Sequence, residues 1–175
     1  RPAFMKTLKR VLSWIDRINE WTAKATSWLI VVIIAATTYE VVMRYVFQMP
    51  TTWSFELNYL VFGAYFMLIG AYTHARKGHV SVDILHARLS PRGKAIADLV
   101  TFPVFCLFVG VMTYKGFGFA RDAWGFRETL SSAWAPPVYP FKTVIPVAAS
   151  RLFLQGVAKF IRDLHTLLTG KEGGL

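Results

Sequence analysis

Glu40 and Arg44 stand one helical turn apart inside an apolar run, and no other pair in the chain is better placed to do chemistry. An ionisable side chain among apolar residues of lipid-spanning length is costly and needs a partner. At i and i+4, with the acid first, the two can pair along one helix face. Two roles fit that spacing. One is mutual neutralisation that braces the helix against its neighbours. The other is a carboxylate that couples ion or substrate movement, which a permanent cation on the next turn disfavours because it holds the acid ionised. Glu56 and Asp98 are the other acids near apolar runs, each in an expected first helical turn, where the helix dipole favours an anion. Arg151 lies inside the last apolar run and is expected to snorkel or to pair with an acid, Asp98 being one candidate.

Other reactive groups point away from catalysis. His74, His79, His86 and His165 all fall in expected turns or the tail, not at the membrane depth where haem ligands would be needed. The single cysteine, Cys106, excludes an intrachain disulfide and a multi-cysteine metal site, and reads as a small buried hydrophobe. No zinc-protease motif, phosphate-cradling glycine loop or nucleophile–base constellation is present. The expectation is a protein that is not an enzyme and carries no cofactor and no metal.

The elements that position these residues are four apolar runs, about 27–47, 55–75, 95–117 and 138–158. Each has roughly the 20 residues that cross a ~30 Å hydrocarbon core. Polar residues are sparse around the whole circumference of each run. The fold class read from this is an all-α integral membrane protein, since a helix satisfies its own backbone groups in lipid. Hydrophobic residues make up 54% and charged ones 17%, too little polar surface for a soluble domain beside the spans. A single membrane domain over 1–175 follows, with a tail at 159–175.

The net charge of +10 is distributed unevenly. Fourteen Lys and Arg residues precede the first run, fill the middle turn or lie in the tail, against Lys115, Arg121, Arg127 and Lys142 on the opposite side. This bias puts both termini and the middle turn in the cytoplasm. The excess charge meets anionic lipid headgroups, and no nucleic acid is implied.

Residues 5–21 read as an amphipathic helix, with Leu8, Val11, Leu12, Ile15 and Ile18 on one face and Asp16 and the basic residues on the other. It is expected to lie in the cytoplasmic interface, with Trp14, Trp21 and Trp28 in the aromatic belt. Arg1–Phe4 precede a natural-looking start at Met5 and are expected to be an added leader. Pro50 ends the first span, and Thr51, Thr52 and Ser54 offer N-cap oxygens to the second. A short apolar stripe, Val82, Leu85 and Leu89, predicts a second interfacial helix between spans two and three. Ser90-Pro91 opens span three, and Pro103 bends it. The outer turn before span four is rich in aromatics (Trp124, Phe126, Trp134, Tyr139), and Pro136, Pro137 and Pro140 keep its end extended. Gly63, Ala64, Gly70, Ala71 and Gly110 are the expected sites of close helix approach. Four spans with no polar-lined path do not enclose a channel, so a subunit packed against something larger is the natural reading.

One ordered set of residues carries a resemblance. The run Glu40-x-x-x-Arg44-Tyr45-x-Phe47-x-x-Pro50-x-x-Trp53-x-x-Glu56 continues through Phe62-Gly63, Gly70-Ala71 and His79-Val80-Ser81-Val82-Asp83, then Tyr139-Pro140 and Ile145-Pro146. It resembles the small membrane subunit of tripartite ATP-independent periplasmic (TRAP) transporters. The resemblance implies a bacterial inner-membrane protein beside a large multi-span subunit that carries the sodium and substrate sites. It also implies a periplasmic binding protein that delivers a small organic acid. Under it, Glu40 and Arg44 brace a scaffold, and His79 and Asp83 fix the cytoplasmic interfacial helix. Pro50, Trp53, Glu56, Trp124 and Trp134 would then face the other subunits or the headgroups.

Three other functions compete. A self-contained proton-coupled exporter would use Glu40 as its working acid, but Arg44 and the long amphipathic N-terminus argue against it. A membrane anchor for a redox complex would need haem ligands. A pure assembly protein without transport differs only in whether uptake depends on it.

Overall fold

The computed structural model describes residues 2–75 and 91–169. Among the described residues there are four helices: α1 Pro2–Tyr45, α2 Ser54–Ala75, α3 Pro91–Gly125 and α4 Tyr139–Thr169. All four are long and apolar enough to cross a membrane. The expected interfacial helix between spans two and three, with His79 and Asp83, lies outside the described residues.

The first helix differs from expectation in its continuity. The amphipathic stretch and the first span form one rod, because no glycine or proline interrupts residues 3–49. The face it buries is not the apolar one. Leu12, Asn19, Ala23 and Thr26 are buried, while Val11 and Ile18 are half exposed. The helix thus turns a partly polar edge toward its neighbours. It ends where Gln48 takes a left-handed φ of 55° and the Met49 amide donates to the Met43 carbonyl at 2.9 Å, ahead of Pro50.

Helix α4 is the centre of the molecule. It packs along α3, against α2 and, near the chain termini, against α1. Accordingly, 33% of its most apolar stretch is buried, against 11% for α1 and for α3. Helices α1 and α3 do not pack along one another, so both stand at the edges of an open array. The loops 46–53 and 126–138 share one end, here the loop end, and the termini of the described chain share the other, the terminus end.

Of the small residues expected at close approaches, Ala71 is buried at 1% exposed, but the glycines among them are not tight contacts. A β-carbon at Gly63, Gly70 or Gly110 would meet nothing within 4 Å. Gly156 of α4 is different: a β-carbon there would lie 2.1 Å from Cε1 of Phe105 on α3. Gly116 similarly admits Ile145 and Pro146 at 3.3–3.4 Å. The α3–α4 seam is completed by Phe102 against Phe160, with ring centres 4.2 Å apart. At the terminus end His74 of α2 stacks on Phe105 at 5.2 Å.

Candidate functional site

Two polar clusters hold the array together, one at each end. At the loop end Glu40 receives Arg44 Nε at 2.9 Å and the Thr51 backbone amide at 3.0 Å, and the Thr51 hydroxyl also donates to it. One carboxylate therefore ties the last turns of α1 to the strand of chain that enters α2. The sequence pointed to Arg44 as its partner but not to Thr51, which was expected to cap α2. Ser54 does not cap α2 through its side chain either. Its hydroxyl, 1% exposed, donates to the Ala36 carbonyl at 3.0 Å and binds α2 to α1. Both hydroxyls are diverted because the short loop brings α1 within reach. Trp53 stacks on Tyr39 with ring centres 5.7 Å apart, covering the same seam.

The second loop is built as a small hairpin. Leu130 N–H donates to Pro136 O at 3.0 Å and Val138 N–H to Glu128 O at 2.9 Å, around an isolated bridge between Thr129 and Pro137. Arg127 and Ala135 both take φ of 47° without being glycine. Side chains hold that shape. Ser132 donates to Glu56 Oε2 at 2.8 Å, Trp124 Nε1 to Thr143 Oγ1 at 2.8 Å, and Lys142 pairs with Glu128. Glu56 is thus a tether between α2 and this loop in addition to lying in the first turn of α2. Pro140 does not extend the loop but sits in the first turn of α4, where its missing N–H costs nothing.

The cluster at the terminus end was not anticipated. Asn19, 2% exposed, donates to Gln155 Oε1 at 2.7 Å, and Gln155, 1% exposed, donates to Asp16 Oδ1 at 3.1 Å. Arg162 donates to Asp16 Oδ2 at 2.6 Å. Arg151 donates to Asn19 Oδ1 at 2.9 Å and to the Leu68 carbonyl at 3.4 Å, joining α4 to α1 and α2. The expected partner Asp98 instead pairs with Lys159, one turn before Asp163. The signal that could have found this cluster is the spacing Arg151, Gln155, Arg162 along one edge of the fourth run.

An open groove of about 970 Å³ lies beside Ile145, lined by α3 residues from Met112 to Asp122. Among the described residues no three His, Cys, Asp or Glu side chains gather in a way that could hold a metal ion.

Four apolar helices of membrane-crossing length are what a comparison with known families has to account for. The family model for the DctQ component of tripartite ATP-independent periplasmic transporters matches residues 33–166. The chain belongs to this family. No curated protein matches it. DctQ components are parts of transporters, so this chain is a small, multi-pass membrane component of a TRAP system, working with a large membrane component and a binding protein. The matched region includes the loop-end clasp and Gln155 but begins after Asp16 and Asn19.

Proposed function

We propose that this DctQ component is a static scaffold: it stabilises the large transport component and contributes to the surface on which the periplasmic binding protein docks. The observation that carries this reading is the Glu40 clasp. Its carboxylate is held by a guanidinium, a backbone amide and a hydroxyl, all from its own hairpin. A group so engaged suits a brace better than an acid that must load and release a proton. The same engagement weighs against the self-contained exporter.

In this reading transport is sodium-coupled, the cargo is a small organic acid held by the large component, and this chain performs no catalysis. The charge bias puts both termini in the cytoplasm, where the basic residues meet anionic lipid. The loop end then faces the periplasm, and Pro50, Trp53, Glu56, Trp124 and Trp134 lie on the side from which a binding protein approaches.

The test is reconstitution. Vesicles holding the large component, with binding protein and a sodium gradient, are compared with and without this chain. Uptake should require it, and the chain alone should move no solute. Flux through the isolated chain that disappears in Glu40→Gln would refute the scaffold.

A further inference from the structure

Trp14, Trp21 and Trp28 recur every seven residues and are 59%, 71% and 72% exposed. Val11, Ile18, Ala25, Val32 and Ala35 fill the intervening three- and four-residue steps, and all are exposed. This is a heptad seam on the side of α1 that its neighbours leave uncovered. Trp14 and Trp28 are separated by about 21 Å along an unbroken helix. Each headgroup layer is only about 5–8 Å thick. Seating all three indoles in one layer would tilt α1 by about 70°, beyond the roughly 0–40° of membrane helices. The aromatic-belt expectation therefore fails for the stripe as a whole.

Toward the loop end the stripe runs into an apolar groove of about 490 Å³, lined by Val31, Val32, Ala35, Ala36, Tyr39 and Trp53 among others. Small residues at such a surface let a second helix approach closely. Basic side chains of Arg10 and Arg17 flank the other end of the stripe and are exposed, while Lys24 beside them pairs with Glu20 at 3.1 Å. We propose that this face of α1 is the docking surface for a transmembrane helix of the large component, whose apolar residues follow heptad spacing and whose extension beyond the lipid carries acidic residues. The proposal rests on the scaffold reading and names its contact face. A lipid bath alone covers the Val32–Tyr39 groove but not indoles lying beyond the hydrocarbon. A helix longer than the bilayer covers both.

The test uses the assembled complex. The large component is captured through a tagged small component from mild detergent, with the melting temperature of each small-component variant as a folding control. Trp14→Ser/Trp21→Ser and, separately, Ala35→Trp should each lower capture about tenfold or more. Val104→Ser, equally bare on α3, should leave it unchanged. Unchanged capture by both α1 variants, or loss with Val104→Ser alone, overturns the proposal. So does a defect of the double serine variant confined to flotation of the isolated chain with phosphatidylglycerol vesicles, which would make headgroups the occupant. Disulfide-linked homodimers of Trp21→Cys in a Cys106→Ala background, with the large component present, would assign the face to a second copy. Failure of the wild-type chain to capture the large component brings down the scaffold reading itself.

Discussion

Asn19 and Gln155, 136 residues apart in sequence, share a 2.7 Å hydrogen bond that is sealed from solvent. Neither is alone: Arg151 leans on the Asn19 oxygen and Asp16 accepts from the Gln155 amide. Removing one member leaves buried polar atoms without partners, which costs more than the bond itself contributes. Asn19→Ala should therefore destabilise the isolated chain by roughly 1–3 kcal/mol. Unfolding in mixed detergent micelles measures it. In a double-mutant cycle with Gln155→Ala, the second change should add less than its single effect, with a coupling of about 1 kcal/mol.

Gly156→Ala should be among the most disruptive single-methyl additions to this chain. The Phe105 ring occupies the space a β-carbon needs, and it is wedged between His74 and Phe102. Overpacking of this kind costs about 1–3 kcal/mol. Phe105→Leu combined with Gly156→Ala should recover much of the loss, and a thermal melt of the four proteins in the cycle decides it.

Glu40→Ala removes the acceptor for Arg44, for the Thr51 amide and for the Thr51 hydroxyl together. The hairpin of α1 and α2 should loosen, and the yield of assembled transporter should fall several-fold. Uptake normalised to assembled complex should stay near that of the wild type. A drop in that normalised rate at full assembly would instead make Glu40 a coupling group.

Ser132→Ala breaks the tether from the 126–138 loop to Glu56 and also removes the acceptor for the Ala135 amide. Losing about 1 kcal/mol of local stability raises the open population roughly fivefold. Cleavage within residues 126–138 by an added protease should accelerate by that factor, while the helices remain protected.

The four spans were legible because lipid imposes a length and an all-round apolar surface on each of them. The Glu40–Arg44 contact was legible because a four-residue step has one geometric meaning on a helix. The packing order was not. Amphipathicity separated the apolar from the polar face of residues 5–21 but did not show that Asn19 is buried, because that depends on α4 offering Gln155 and Arg151 as partners. Small size alone also failed as a guide, since Gly63 and Gly70 face open space while Gly156 is filled by a ring. Burial of a polar group or a glycine depends on what a distant helix presents, and a single sequence does not state that.

The open array, with α1 and α3 bare at its two edges, has a consequence for how the cell manages supply. If the bare face of α1 docks the large component, a copy made in excess of its companion keeps its indole row uncovered. Such orphans are natural prey for membrane proteases. The amount of this subunit in the cell should therefore follow its companion's synthesis more closely than its own.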